Sequence, residues 1–304
     1  MADLKSLRKR IGSVKNTQKI TRAMKMVAAA RLNRSQQRIS AMRPYAVRTA
    51  EVLAEVVAAS TAAVEGGTDA GGGELEHPLL ARRPEKRALF LVVSGDRGLC
   101  GAFNSSINKA AERGWRERVA EGKEVSFAIV GRKGRDYFKR RKAPITKIFE
   151  GVWEDMGPEK ARAIAHDVLA PFLAGEVDAI YLVYNEFKSA MTQKVIFEPL
   201  FPLQKAVGSA PTRPDALLST FTYEPSKEAL LERLVPMYVE ISILRALYES
   251  RASFFGAQMT AMDSATKNAS DLIDRLTLVY NRARQAAITT EIMEIIGGAE
   301  ALKG

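Results

Sequence analysis

From Asp3 to Ser60 the chain has one proline, Pro44, and one glycine, Gly12, among residues dominated by Ala, Lys, Arg, Gln and Met, all good helix formers. A second stretch of the same kind runs from Ser226, a plausible N-cap, to a stop at Gly297-Gly298. At 1.5 Å per residue the first helix would reach about 85 Å and the second on the order of 100 Å. Neither fits inside a compact domain of 304 residues. Leu4, Leu7, Ile11 and Val14 follow steps of three and four, the apolar seam of a coiled coil. That phase breaks at Gln18, Thr21 and Lys25, where Ile20, Met24 and Val27 are apolar instead, and it returns at Leu32, Ile39, Met42, Leu53 and Val56. The break predicts a change of partner or face near the middle of the helix. A second seam passes through Leu234, Met237, Ile241, Leu244, Tyr248, Phe255, Met262, Ala265, Ala269, Leu272, Leu276, Val279, Ala283 and Ala286 to Met293, interrupted by Arg251, Gln258 and Thr290. Pro236 should kink this helix or delay its start. Two seamed helices at opposite ends of one chain pair most simply antiparallel, which predicts a rod with a knob. Ile288, Ile292, Ile295 and Ile296 exceed what one seam needs and mark the tip as a protein contact.

Between the helices the pattern changes. Ala88–Val93, Val125–Val130, Ala179–Tyr184 and Val195–Leu203 read as strands, and Ser105–Ala120, Lys133–Arg141 and Pro158–Leu173 as helices. The alternation predicts an α/β layer domain with a mainly parallel, Rossmann-like sheet. The expected organisation is an N-terminal long helix over 1–62, a Gly-rich linker over 63–86, an α/β foot domain over 87–223 and a C-terminal long helix over 224–304. The fold class is thus α/β plus a long coiled coil, with the α/β domain inserted between antiparallel helices.

Charge is concentrated in one element. Residues 1–50 carry 13 Lys and Arg and a single acid, Asp3, while the rest of the chain is near neutral. Such a stripe predicts an anionic partner surface: nucleic acid, lipid headgroups or an acidic protein. Uncharged runs such as Ala252–Met262 fall far short of the roughly 20 apolar residues that span a bilayer. Cys100 is the only cysteine, which excludes an internal disulfide, and no Cys/His cluster has zinc spacing. A basic coiled-coil nucleic-acid-binding protein is the alternative reading. Against it, the basic residues share a helix with the seam instead of preceding it.

Ser94-Gly95-Asp96-Arg97-Gly98-Leu99-Cys100-Gly101 is a Gly-rich turn between a strand and a helix, a place where anions often bind. Its glycines do not make G-x-G-x-x-G, and no Lys-Ser/Thr pair completes a P-loop, so it reads as a structural turn. Cys100 has no neighbouring base and reads as a small buried residue, and His77 and His166 as ordinary positions. No catalytic, cofactor or metal site emerges.

Three motifs carry a resemblance: Ser13-Val14-Lys15-Asn16-Thr17-Gln18-Lys19-Ile20-Thr21-Arg22-Ala23-Met24-Lys25-Met26-Val27-Ala28-Ala29-Ala30, then Asp96-Arg97-Gly98-Leu99-Cys100-Gly101, and Leu278-Val279-Tyr280-Asn281-Arg282-Ala283-Arg284-Gln285-Ala286-Ala287-Ile288-Thr289. In this order, from Asp3 to Leu302, the chain resembles the gamma subunits of F-type rotary ATP synthases, bacterial type. The resemblance implies a non-catalytic central-stalk rotor that couples proton flow to ATP synthesis or hydrolysis, present in one copy per complex. Implied partners are the alpha and beta subunits of an alpha3beta3 ring, epsilon and the c-ring, with no nucleic acid and no cofactor. The implied place is peripheral, on the cytoplasmic face of the bacterial inner membrane. Carried over by position, Lys19, Arg22, Met24, Lys25, Gln285 and Thr289 are implied to contact beta. Phe221, Tyr223 and Glu224, helped by Arg31 and Arg34, are implied to form the foot contact with the c-ring and epsilon. Gln258 stands where the family usually has Arg, Phe254-Phe255-Gly256 replaces a Glu- and Ala-rich turn, and Pro236 is unusual.

Overall fold

The computed structural model describes residues 2–65, 83–202 and 227–301. In chain order the elements are α1 (Ala2–Glu65), β1 (Arg87–Val93), α2 (Phe103–Ala120), β2 (Glu124–Val130), α3 (Arg132–Arg140), β3 (Ile145–Phe149), α4 (Pro158–Leu173), β4 (Ala179–Phe187), β5 (Gln193–Phe201) and α5 (Lys227–Ala301). Two compact units emerge: one joins Met1–Ala30 to Gln258–Gly304, the other holds Arg31–Ala257.

In the larger unit the strand order is β3-β2-β1-β4-β5. The first four strands are parallel to their neighbours, and β5 returns antiparallel to β4. β1 is central and buried from Ala88 to Val93. Its continuous apolar run, rather than an alternating one, is what a strand covered on both faces requires. On one face Leu89, Leu91, Val93, Ile180 and Leu182 pack with α4 and with Leu231, Val235, Val239 and Ile243 of α5, and Leu53 of α1 joins the same core. The other face is aromatic. Phe90 meets Phe127, Tyr181 and Phe197 edge-on at ring separations of 5.6, 5.7 and 5.0 Å. The Arg118 guanidinium lies 4.1 Å from the Tyr181 ring centroid and pairs with Glu85 at 3.2 Å, so its charge is matched where it is partly desolvated.

Three sequence expectations are corrected. β3 is an additional strand; its middle residues are exposed at the sheet edge, where charge interrupts the apolar run and hides the strand from pattern reading. Of the two effects expected of Pro236, a kink or a late start, the late start does not occur: α5 begins nine residues earlier at Lys227. The proline withdraws one amide from the helix, while buried Leu231, Val235 and Val239 hold the surrounding turns. Gly297-Gly298 does not stop the helix, which continues to Ala301. Ser226 and the Gly-rich segment 66–73 lie outside the described residues.

Asp178, just before β4, fixes the start of the β1–β4 pair. Its Oδ2 accepts from the Arg87 amide at 2.9 Å and the Lys86 amide at 3.2 Å, and its Oδ1 accepts from the Arg87 guanidinium at 3.1 Å. Burial alone would raise this carboxyl, but the Arg87 side chain and the two amides overcome that and hold it below the usual carboxylate range. Because the folded-state pKa is depressed, the stability it contributes is present above the unfolded pKa and is lost as pH falls through the folded one. Asp178→Asn should therefore cost about 2 kcal/mol at neutral pH and much less at pH 3, which urea titrations at the two pH values would read.

In the smaller unit α1 and α5 run antiparallel. The Thr21 and Thr266 hydroxyls meet at 2.8 Å, and Lys25 Nζ reaches Asp263 Oδ1 at 2.5 Å. The α1 seam is Leu4, Leu7, Ile11, Val14, Gln18, Thr21, Lys25 and Ala28, every one of them buried or half-buried. Of the expected change of partner or face, the change of face does not occur, whereas from Arg31 onward α1 belongs to the larger unit. Ile20 is 60% exposed and Val27 51%, so the substitute apolar stripe faces outward while polar residues keep the seam. Hydroxyl and ion pairs across the seam make that tolerable at Thr21 and Lys25, which find partners on the facing helix in Thr266 and Asp263. On α5 the seam is Met262, Thr266, Ala269, Ile273, Leu276, Tyr280, Ala283 and Ala287. Its steps run four and then three. The sequence reading, three and then four, shares Met262, Ala269, Leu276 and Ala283 but placed Leu272 and Val279 inward, and these are 38% and 49% exposed.

Candidate functional site

The candidate surface is the outside of the two-helix unit, and its register follows from the two cross-helix pairs. Thr21 faces Thr266 and Lys25 faces Asp263, so the start of α1 is level with about Gln285. Beyond that level α5 continues alone to Ala301, about 20 Å further at 1.5 Å per residue. Every residue from Ile288 to Ala299 is exposed. Ile288, Ile292, Ile295 and Ile296 are large apolar side chains with no partner from α1, as the sequence led one to expect of a tip.

The six residues implied to contact beta fall into two groups. Lys19, Arg22, Met24 and Lys25 lie at the level of Thr21; Gln285 and Thr289 lie near the end of the pair, about 28 and 35 Å away along α5. Lys19 and Arg22 are exposed and form no ion pair among the described residues, so their charge is available to a partner. Met24 is half-buried. Lys25 is committed within the chain. Asp263 accepts from it and from Lys267 at 3.1 Å, and the two ammonium groups, Lys25 first, hold the Asp263 carboxyl below its ordinary range. Sequence reasoning missed Asp263 because its partner lies 238 positions away. Gln285 and Thr289 are exposed on one face of adjacent turns, and the Thr289 hydroxyl donates to the Gln285 carbonyl at 2.9 Å, leaving its methyl and the Gln285 amide outward.

Of the implied foot residues, Arg31 and Arg34 are exposed on α1 in the α/β unit; Phe221, Tyr223 and Glu224 lie outside the described residues. The Gly-rich turn after β1 is occupied by the protein's own hydrogen bonds. The Gly95 amide donates to Asn104 Oδ1 at 2.8 Å, the Arg132 amide donates to Asp96 Oδ1 at 2.9 Å, and the Ser94 carbonyl accepts from the Trp153 indole at 2.7 Å. Leu99 and Gly101 adopt positive φ values of 61° and 54° to turn into α2. Cys100 is buried in this turn, and desolvation pushes its thiol up, away from the reactive thiolate. Phe254 explains one departure from the resembled pattern: it packs on Phe103 at 5.6 Å and Trp153 at 5.3 Å, and covers the turn. Gly256 beside it lets α5 approach the β4–β5 hairpin, since an added Cβ would lie 3.3 Å from the Ala190 Cα. The described residues contain no cluster of three His, Cys, Asp or Glu side chains able to hold a metal, and no described helix is long and apolar enough to cross a membrane.

These features have close counterparts in known proteins. A family model described as ATP synthase matches residues 3–302. The ATP synthase gamma chain of Sorangium cellulosum (strain So ce56) is 58% identical over the full length of both chains, and that of Geobacter sp. (strain M21) is 46% identical over the same extent. Among solved structures, a chain from the central stalk and c-ring of Tetrahymena thermophila mitochondrial ATP synthase is 26% identical, with a TM-score of 0.59 over 81% of this chain and 99% of that one. A chain of Euglena gracilis mitochondrial ATP synthase shares the fold at 20% identity, with a TM-score of 0.66 over 99% of this chain and 95% of that one. Paired terminal helices with an α/β layer between them in the sequence, together with 58% identity to a named relative over the full length of both chains, decide against the nucleic-acid reading: the chain belongs to the ATP synthase gamma-chain family and is a central-stalk subunit.

Proposed function

We propose that this chain is the non-catalytic rotor of a proton-translocating ATP synthase, present once per complex, peripheral to the cytoplasmic face of the bacterial inner membrane. Its two-helix unit sits within a ring of alpha and beta subunits. Its α/β unit, with Arg31, Arg34 and the segment holding Phe221, Tyr223 and Glu224, meets epsilon and the c-ring. The observation that carries this reading is the unequal pair: one side of the two-helix unit offers Lys19 and Arg22, and a bare stretch of α5 extends past the end of α1. A subunit that makes no bonds itself acts on three identical partner sites only through contacts that differ between their open and closed states. Swinging one site from 1:99 to 99:1 needs roughly 5.5 kcal/mol, within reach of a few ion pairs and apolar contacts made at one angle and broken at another.

Affinity capture from detergent-solubilised membranes tests the assembly: a tagged copy should bring down alpha, beta and epsilon chains, and recovery of the tagged chain alone overturns the proposal. The contact map has its own test. Replacing both Gln285 and Thr289 by alanine should lower coupled ATP synthesis several-fold, whereas alanine at Gly67 and Gly72 in the linker should leave it within experimental error. Equal losses would remove Gln285 and Thr289 from the contact surface.

A further inference from the structure

A cleft of about 440 Å³ opens in the α/β unit where the chain leaves the carboxyl ends of three parallel strands. Asp96 and Arg97 follow β1, Arg132 follows β2, and Trp153 and Glu154 follow β3. This is the edge at which open parallel sheets hold their ligands. The wall opposite comes from the two long helices. Arg31, Arg34 and Arg38 recur on α1 at steps of three and four, one helix face, and Arg251 approaches from α5. Six guanidinium groups therefore line a space that contains two carboxylates. Of those, Asp96 already accepts from the Arg132 amide at the start of α3.

Of the six, Arg251 is half-buried and the others are exposed, whereas half-buried Arg118 and Arg245 elsewhere in the chain are matched by carboxylates. Arg118 pairs with Glu85 at 3.2 Å and Arg245 with Glu198 at 2.6 Å. None of the six guanidinium groups in the cleft has an ion-pair partner among the described residues. The cost is visible at Arg251, whose half-buried guanidinium is held below its ordinary pKa by burial and then by repulsion from Arg38 and Arg31. The remaining wall is aromatic: Trp153, Phe254 and Phe255, with the Arg31 guanidinium 5.7 Å from the Phe255 ring centroid. Because the Trp153 indole N–H is spent on the Ser94 carbonyl, that residue offers the cleft a ring face and no donor.

We propose that this cleft binds a small anion carrying two or more linked phosphate groups. Guanidinium forks match phosphate oxygens in pairs, and six forks from four different segments suit a chain of phosphates better than a single one. The volume lies in the range of small-molecule sites. The site goes beyond the rotor reading and shares Arg31 and Arg34 with the foot contact proposed there, so it is tested on the chain free of partners. Free pyrophosphate and a nucleoside di- or triphosphate share the chemistry that the arginines read.

Isothermal titration of the purified full-length chain with pyrophosphate, ATP and sulfate, at low ionic strength and without divalent metal, tests the site. Pyrophosphate and ATP should bind with micromolar Kd and sulfate at least 100-fold more weakly. Affinity should fall about tenfold or more in the double variant Arg38→Gln/Arg251→Gln, and again in Arg97→Gln/Arg132→Gln, whose exposed side chains leave folding untouched. Equal affinity for pyrophosphate and ATP would show that the phosphate chain alone is read. Tighter binding of ATP would add stacking on the aromatic wall, and loss of that excess in Trp153→Leu would locate it. Millimolar or weaker binding of both, or unchanged affinity in Arg97→Gln/Arg132→Gln, overturns the proposal. So does a polyglutamate peptide that binds more tightly than pyrophosphate and weakens in the same variants, since the cleft would then be a dock for acidic protein.

Discussion

Gly131→Ala is expected to destabilise the α/β unit by about 3 kcal/mol or more in urea-induced unfolding. Gly131 joins β2 to α3 with φ at 94° and ψ at 143°, a region open to glycine and costly for any residue with a Cβ. Space is denied as well. An added Cβ would lie 2.1 Å from the Ser94 carbonyl oxygen and 2.7 Å from its carbon. Both are backbone atoms, so no rotamer change relieves the clash. Ser94 cannot retreat, because its carbonyl accepts from Trp153 while its hydroxyl donates to the Val130 carbonyl at 2.9 Å and accepts from the Gly134 amide at 2.8 Å. Gly12 provides the contrast. It is exposed in α1, and an added Cβ would meet nothing within 4 Å, so Gly12→Ala should stabilise by about 0.5–1 kcal/mol. A loss below 1 kcal/mol at Gly131 would mean that the β2–α3 connection shifts to make room.

Leu276→Asp should open the two-helix unit. Leu276 is a buried seam residue, and the register given by Thr21–Thr266 sets it opposite Ile11. Truncating a buried leucine costs about 2–5 kcal/mol, and an unpaired carboxylate in its place adds a desolvation penalty. The pairing here rests on about eight seam residues from each helix, many of them small or half-exposed, so a loss of about 4 kcal/mol removes most of its stability. Hydrogen exchange should show amide protection vanishing over residues 4–28 while β1 and β4 keep theirs. Leu278→Asp, two positions along at a 60%-exposed site, should leave protection unchanged. Retained protection in the Leu276 variant would show that the helices hold together by other means.

The parts legible in sequence share a physical reason. Long runs without Gly or Pro, and apolar runs buried on both faces such as Ala88–Val93, announce their elements locally, and both long helices and four of the five strands lie where those patterns put them. The seam was legible only where it is apolar. At Thr21 and Lys25 the interior positions are polar, and apolar Ile20 and Val27 outside them reversed the reading, because the deciding atoms belong to Thr266 and Asp263 in the facing helix. β3 was hidden by the charge of an edge strand. For the candidate surface, sequence and resemblance supplied residue identities. Which of them are free is a tertiary fact: Lys19 and Arg22 are exposed and uncommitted, while Lys25 is taken. The arginine cleft could not be read at all, since its six members come from four separate segments and no local pattern joins them.

The polar break in the coiled coil has a mechanical corollary. An all-leucine seam could creep by one heptad, about 10 Å, and still present apolar groups to apolar groups. Here such a slip would part the Lys25 ammonium from the Asp263 carboxylate and the Thr21 hydroxyl from that of Thr266, and would set them against aliphatic neighbours. The two strands are thereby keyed like a spline in a driveshaft. Under a twisting load they must turn as one body, and every outward side chain keeps its height and compass bearing.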